Sequence, residues 1–264
     1  MFTVTRNENV MLPLWLRNYG KYFHPEDMWI LDHESTDGST DRSKIPNGIN
    51  IIKLHGDNAF MPHQFLIKSV EDHQSSLLES GYGCAVFSEI DEFIDADPGV
   101  FKGGLEEYLN NFLENTSLQS SRTEGRDVIQ IETDSPIDWN ANILSQRRHW
   151  GLSQLYSKTL ITKVSLHYTP GFHNLQLKAD PQVTPTLKLA HLHFADLDYC
   201  LKRENLKHRE SKNMHPDEMG RFGVHFSTRF ELLQDKPGGV CNASNIYKKF
   251  HPEVMDDRWS EVFI

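Results

Sequence analysis

The chain has 264 residues, of which 38% are hydrophobic and 24% are charged, as in a typical globular protein. Its 27 basic and 37 acidic residues give a formal charge of −10, which disfavours a general binder of nucleic acids or anionic membranes. Cys84, Cys200 and Cys241 lie far apart and form no CxxC pair. Neither a disulfide framework nor a zinc ribbon is therefore indicated.

The sequence predicts a cytoplasmic protein without a membrane span. No stretch approaches ~18 consecutive apolar residues, the length that a membrane-spanning helix needs. The N-terminal segment carries Arg6, Glu8 and Arg17 around a short apolar stretch and shows no small-residue cleavage site. The cysteine pattern favours a reducing compartment.

Strand and helix patterns alternate along the first ninety residues. Apolar runs predict strands, and apolar residues at helical spacing predict helices. The predicted strands are 2–5, 28–31, 49–53 and 84–90, and the predicted helices are 11–22 and 61–79. This alternation predicts an α/β fold with a mainly parallel sheet flanked by helices, in which ligands lie beyond the carboxyl ends of the strands.

The second half of the chain has a less regular pattern. Helices are predicted at 105–113 and 196–212, a polar loop at 115–126, and strand or β-rich segments at 128–132, 155–164 and 186–194. No internal repeat or linker marks a boundary, so we expect residues 1–264 to form a single domain.

Three carboxylates follow the fourth predicted strand within four residues. If that strand continues, Glu89 and Asp91 point to one side and Glu92 to the other, which offers two oxygen ligands to a cation such as Mg²⁺ or Mn²⁺. Such a cation would neutralise a diphosphate. The alternative is a solvated acidic turn after a core strand.

The segment WILDHESTDGSTD, at 29–41, is rich in residues whose side chains form turns with the backbone. A simple turn is therefore one interpretation. Asp32 favours another, because it lies at the end of a predicted strand, where a carboxylate can accept hydrogen bonds from a nucleotide base or a ribose hydroxyl.

Several motifs together resemble the family 2-like glycosyltransferases of the GT-A fold. The first half has RNEN at 6–9, WILDHESTDGSTD at 29–41 and EIDEF at 89–93, where family members often have RNE, DxxSTDGS and DxDEF. The second half has LYSKTLI at 155–161, PGFH at 170–173 and HLHFADLDYCLKR at 191–203. The resemblance covers roughly residues 2–210.

The resemblance implies a GT-A-like, Rossmann-like domain with two functional halves. About residues 1–100 would bind a nucleotide sugar, about residues 101–215 would bind the acceptor, and residues 216–264 would form a C-terminal extension. Within the first half, Asp32 is similar to the aspartate that binds the nucleotide base. The other nucleotide-binding candidates are Arg6, Asn7, Glu8, Glu34 and Glu89.

The same resemblance implies a metal site. Asp91 matches the metal-ligating aspartate of the DxD motif, whereas Glu89 stands where the family more often has aspartate. His193 resembles a C-terminal histidine that approaches the metal or the diphosphate, although His191 lies on the same face of the predicted strand. The alternative for both histidines is a half-buried strand position satisfied by the backbone.

The acceptor side and the catalytic base are less clearly marked. His173 follows Gly171 in PGFH and is a candidate for the acceptor side, with a surface loop as the alternative. The segment IETDSPIDW offers several carboxylates near the end of a predicted strand, and among these Asp134 is our candidate base. A turn or helix-cap role is its alternative.

The resemblance therefore implies a metal-dependent glycosyltransferase that uses Mn²⁺ or Mg²⁺. It would move a sugar from a nucleotide-diphosphate donor, with a UDP-sugar favoured, to the hydroxyl of a glycan or another acceptor, with inversion. The alternatives are a metal-dependent phosphoesterase and a sugar-nucleotide-binding module without turnover. No phosphate loop, dinucleotide turn, zincin helix or nucleophile elbow supports other common enzyme classes.

Overall fold

The computed structural model describes residues 1–56, 63–176, 180–211, 252–260 and 262, so most of the predicted extension at 216–264 lies outside the described residues. The helices are α1 (Met11–Tyr19), α2 (His63–Glu79), α3 (Gly104–Glu114), α4 (Ile143–Gln146), α5 (Leu197–Ser211) and α6 (Asp257–Ser260). The strands are β1 (Phe2–Thr5), β2 (Trp29–Asp32), β3 (Asn50–Lys53), β4 (Ala85–Val86), β5 (Glu92–Ala96), β6 (Ser120–Ile129), β7 (His149–Leu152), β8 (Thr159–Thr162), β9 (Val183–Phe194) and β10 (Glu253–Val254). None of the described helices is both long and apolar enough to cross a membrane.

Strands β1, β2 and β3 form a parallel sheet in that order. The predicted strands at 2–5, 28–31 and 49–53 are confirmed to within one residue, because short apolar runs bounded by turns specify them well. The predicted helices at 11–22 and 105–113 are also confirmed, with small shifts at their ends. The described parts of the helices predicted at 61–79 and 196–212 agree as well.

The mixed α/β class is confirmed, but only the first, three-stranded sheet is parallel. The larger sheet has the order β10-β7-β6-β8-β4, and β9 pairs with both β5 and β6. Its pairs are antiparallel except for β6 with β9. The prediction of a mainly parallel sheet was wrong here, because β6 pairs antiparallel with both β7 and β8, whereas crossover helices would join parallel strands.

The predicted polar loop at 115–126 was wrong, because ten residues from Ser120 to Ile129 form β6. Buried and half-buried positions alternate along most of this strand. The inward positions include Ser121, Thr123 and Gly125, which are small or polar, so the two-residue period is invisible to a hydrophobicity pattern. Neighbouring strands cover β6 on both sides and satisfy its backbone.

The two sheets meet at the N-terminal strand. Phe2 forms a parallel bridge with Phe87, directly after β4, and the Ser88 amide donates to the carbonyl of Phe2. Next to this junction, the indole N–H of Trp15, on α1, donates to the Ser88 hydroxyl at 2.9 Å. The segments that follow β1 and β4 therefore run side by side.

Gly125 allows two chain segments to cross at the centre of β6. A Cβ atom at this position would lie 2.3 Å from the carbonyl carbon of Tyr156 and 2.6 Å from the amide nitrogen of Ser157. The Gly125 amide instead donates to the Ser157 hydroxyl. This crossing fixes the backbone from which Tyr156 and Lys158 extend.

We expect Gly125→Ala to lower the free energy of unfolding by about 2 kcal/mol or more, because rigid backbone must move to admit the methyl group. Chemical denaturation followed by circular dichroism measures the change. Gly56→Ala is the matched control, since its nearest atoms would lie at an ordinary 3.8 Å. Equal stability of the two variants would contradict the close crossing.

Asp95 gives β5 a pH-dependent stability. Burial raises the pKa of this carboxyl to about 6, although hydrogen bonds from the Tyr22 hydroxyl and the Ala96 amide oppose the rise. The folded protein then holds a proton that the unfolded chain has lost above about pH 4. The free energy of unfolding must therefore fall as the pH rises from about 4 to about 6.

We expect Asp95→Asn to reduce this fall, because the amide does not titrate. Tyr22→Phe removes a hydrogen bond to the ionised carboxylate and should extend the fall to higher pH. Denaturation curves measured at several pH values test both expectations. A wild-type stability that does not fall between pH 4 and pH 6 more than that of Asp95→Asn would contradict this assignment.

Candidate functional site

Asn7 joins the segment after β1 to the loop after β2. Its side-chain oxygen accepts hydrogen bonds from the amides of Thr36 and Asp37, at 2.7 and 3.2 Å, and its own amide donates to the Ser35 hydroxyl. Asn7 adopts a left-handed backbone conformation with φ of 54°, which asparagine tolerates better than most residues. The first two polar segments of the sequence therefore form one connected structure.

Asp32 is fully buried at the end of β2 and organises the loop that follows it. One carboxylate oxygen accepts from the Ser35 amide at 3.0 Å, and the other accepts from the Thr40 hydroxyl and from Lys53. Burial raises the pKa of this carboxyl, but these hydrogen bonds outweigh burial and hold the pKa below its usual value. Its predicted role in binding a base stays a prediction.

Arg6 and Glu34 lie on the same pair of segments. A guanidinium nitrogen of Arg6 lies 3.3 Å from Nδ1 of His33, and a Glu34 oxygen lies 3.9 Å from Nδ1 of His55. Glu34 also has a positive φ, of 52°. These contacts place both candidates beside Asp32, and they do not by themselves identify a ligand.

Asp91, His191 and His193 form the candidate metal centre. One ligand atom from each residue lies within 4.8 Å of the others, and all three residues are buried. Asp91 lies in the turn before β5, and the histidines lie on β9, which pairs with β5. The predicted strand at 84–90 ends early, at Val86, and it is this turn rather than a continuing strand that presents Asp91.

Asp127 orients the first of these imidazoles. It faces His191 across the parallel pair of β6 and β9, and its carboxylate oxygen lies 2.6 Å from Nδ1. Because an ionised carboxylate only accepts hydrogen bonds, Nδ1 donates and Nε2 presents its lone pair, 3.8 Å from Asp91. The ring of Tyr156 stacks on His191 with centroids 3.7 Å apart. A carboxylate behind the imidazole is the usual arrangement around metal-ligating histidines.

His193 stands parallel to His191, with ring centroids 5.6 Å apart. Its Nε2 lies 3.2 Å from the sulfur of Cys200 and 3.6 Å from a carboxylate oxygen of Glu204, both on α5. Glu204 and Cys200 are almost fully buried. The beginning of α5 therefore closes this side of the centre with potential ligands.

Arg203 connects the centre to the segment after β1. Its guanidinium donates to Asp91 at 2.7 Å and to Glu8 at 2.6 Å, and the Tyr199 hydroxyl donates to the second oxygen of Glu8 at 3.2 Å. The polar segments after β1 and β4 thus converge on one point.

Four acidic side chains lie in this network. Glu8 and Asp91 pair with Arg203, Asp127 contacts His191, and Glu204 lies 3.6 Å from His193. Buried carboxylates are costly unless cations, protons or hydrogen bonds offset them. These carboxylates would attract a divalent cation bound at Asp91.

Glu89 and Glu92 share a buried lysine beside the centre. Lys158 is fully buried and forms ion pairs with Glu89 and, at 2.6 Å, with Glu92. Burial raises the pKa of Glu92 to about 8, while Lys158 counteracts burial and lowers the pKa of Glu89. Lys158 therefore keeps Glu89 ionised, and a third of the Glu89 side chain stays exposed.

His173 lies next to this group. Its Nδ1 donates to the Leu155 carbonyl at 3.0 Å, and its ring meets the ring of Tyr156 edge to face. Gly171 has a φ of 79°, and a Cβ there would lie 2.5 Å from Nε2 of His173, so glycine is required. His173 and His191 therefore both contact the ring of Tyr156, and the acceptor role of His173 stays a prediction.

Asp134 has a structural role in the turn after β6. Its carboxylate accepts from the Ile131 amide at 2.9 Å and lies 4.0 Å from the buried guanidinium of Arg147. These contacts match the turn interpretation of this residue. Neither contact joins it to Asp91, and its role as a base stays a prediction.

Sequence reasoning missed the partners of the candidate ligands. Asp127 was placed in no motif, and Lys158 and Arg203 were quoted only as parts of longer segments. Their partners lie 64, 69 and 112 positions away, so local patterns carry no signal for these pairs. His191 could have been chosen with His193, because alternating strand positions share a face.

No protein-family model matches this sequence, and a search of curated proteins gives no significant match. The functional assignment consequently depends on the site geometry and on the motifs at 6–9, 29–41 and 89–93.

We expect Lys158→Met to lower the free energy of unfolding by about 3–5 kcal/mol, because it leaves the Glu89 carboxylate beside Glu92 without its cation. Thermal and chemical denaturation measure the loss. Lys68→Met is the control, since Lys68 pairs with Asp72 on the exposed face of α2 and its removal should have little effect. Similar losses in both variants would contradict the buried ion-pair assignment.

Proposed function

We propose that this protein is a metal-dependent glycosyltransferase of the GT-A type, which transfers a sugar from a nucleotide-diphosphate donor to an acceptor hydroxyl. The observation that carries the proposal is the buried set of Asp91, His191 and His193. It lies where the polar segments after β1 and β4 converge, and the segment after β1 also holds the loop that follows β2. A nucleotide and its diphosphate would bind along these connected segments.

The ligand atoms of this site favour Mn²⁺ over Mg²⁺. Two imidazole nitrogens and one carboxylate oxygen suit a transition-metal ion, whereas Mg²⁺ prefers oxygen ligands. Asp127 fixes the ligating nitrogen of His191, and the carboxylates around the centre would attract a dication. A divalent cation bound here would stabilise the negative charge of the departing diphosphate.

The chain's own residues would divide the remaining work. Asp32 and Asn7 hold the loop after β2 in a fixed shape, which would form the wall of the nucleotide pocket. Lys158 keeps Glu89 ionised at the edge of the centre, where it can accept a hydrogen bond from a ribose hydroxyl. His173, which contacts the same Tyr156 ring as His191, would face the acceptor.

A metal-dependent phosphoesterase is the second candidate. The observation in its favour is the set of metal ligands, because two histidines and one carboxylate also hold catalytic metal ions in hydrolases. The described residues contain one such cluster, whereas two-metal phosphoesterases need ligands for a second ion. Product analysis distinguishes the two: a glycosylated acceptor supports the transferase, and release of free phosphate from a phosphate ester supports the hydrolase.

Calorimetric titration of UDP and GDP, with and without Mn²⁺, tests the proposed pocket. We expect one nucleotide to bind only in the presence of Mn²⁺, and Asp91→Ala to abolish that binding. Asp127→Asn, which keeps the shape but loses the carboxylate behind His191, should weaken Mn²⁺ binding by about 10- to 100-fold. Mg²⁺ should support weaker binding than Mn²⁺.

His167→Ala is the control variant, because this exposed histidine pairs with Glu71 and not with the candidate centre. It should bind metal and nucleotide as the wild type does. If neither nucleotide binds to the wild type with or without Mn²⁺, the glycosyltransferase proposal is wrong.

A further inference from the structure

Arg203 occupies the carboxylate that a metal ion would need. Its guanidinium contacts the same Asp91 oxygen, Oδ2, that faces Nε2 of His191. A guanidinium and a dication at one oxygen repel each other in a buried, weakly screened site. A cation bound to this oxygen therefore competes with Arg203 for Asp91.

Glu8 keeps Arg203 near the centre when that contact is lost. The second arm of the guanidinium donates to Glu8 at 2.6 Å, and Tyr199 holds the other oxygen of Glu8. The ring of Tyr199 also lies 5.8 Å from the centre of the guanidinium. Once released from Asp91, the guanidinium would remain at the edge of the site with one arm directed away from Glu8.

A free guanidinium arm beside a bound cation suits an anion that also touches that cation. Arginine binds phosphate oxygens with short, charge-assisted hydrogen bonds. We propose that Arg203 alternates between two partners: it pairs with Asp91 when the centre holds no cation, and it binds the diphosphate of the ligand when the centre holds one. The identity of that ligand as a nucleotide rests on the proposed function, whereas the exchange of partners does not.

The two-partner role predicts effects of opposite sign in one variant. In Arg203→Ala no guanidinium competes with a cation for Asp91, and the site has one positive charge fewer. This variant should therefore bind Mn²⁺ alone at least about threefold more tightly than the wild type. The same variant should bind inorganic pyrophosphate, with Mn²⁺ present, about tenfold more weakly, because a charge-assisted hydrogen bond is lost. A purely structural arginine would weaken both equilibria.

Titration calorimetry with Mn²⁺ alone, and then with pyrophosphate, UDP and GDP at saturating Mn²⁺, measures these constants. Arg203→Lys keeps the charge and should restore part of the pyrophosphate affinity and a wild-type Mn²⁺ affinity. Arg126→Ala is the matched control, because Arg126 pairs with Glu124 and Glu253 elsewhere on the large sheet, and both constants should stay unchanged.

Unchanged or weaker Mn²⁺ binding by a folded Arg203→Ala overturns the proposed competition, and unchanged pyrophosphate binding overturns the proposed anion contact. If Arg203→Ala does not fold, Arg203→Lys decides, since a loss of Mn²⁺ affinity in that variant also overturns the proposal. The wild type could bind Mn²⁺ and pyrophosphate, with the expected effects of the Arg203 variants, but bind neither UDP nor GDP. That result would support this inference and refute the proposed glycosyltransferase function.

Discussion

Burial of carboxylates is the constraint on which the rest of this structure depends. An unpaired carboxylate in a protein interior costs several kcal/mol, so every buried acid must have a cation, a proton or several hydrogen bonds. Around β5 the chain satisfies this requirement with Lys158 for Glu89 and Glu92, and with Arg203 for Asp91 and Glu8. Asp91 also lies beside two imidazoles, and within the described residues these three side chains form a group that could hold a metal ion.

The large sheet brings these groups together through strand β9. Its antiparallel pairing with β5 sets His191 opposite Glu92, next to the turn that carries Asp91, and its parallel pairing with β6 sets His191 opposite Asp127. Gly125 lets the segment around Tyr156 cross β6, so that an aromatic ring covers His191. Sheet register thus sets the positions of His191 and Asp127 in the centre.

Sequence patterns predicted the elements that hydrophobicity specifies, and missed those that polar pairing specifies. The apolar runs at β1, β2 and β3 were sufficient to locate the first sheet. The strand predicted at 128–132 overlaps only the end of β6. The rest of β6 was missed because Ser121, Thr123 and Gly125 take its inward positions, and their alternation carries no hydrophobic signal. The strand-end position of Asp91 was visible in the sequence, whereas the pairs of Asp127 with His191 and of Arg203 with Asp91 join residues more than sixty positions apart. Only tertiary structure reveals such pairs.

The most direct test of this account is a crystal structure of the protein soaked with Mn²⁺, with the anomalous scattering of manganese recorded. We expect an anomalous peak for one manganese ion within bonding distance of Asp91, His191 and His193. The Arg203 guanidinium should then be displaced from Asp91. A manganese peak at other residues, or a centre that stays without manganese at saturating concentration, would contradict it.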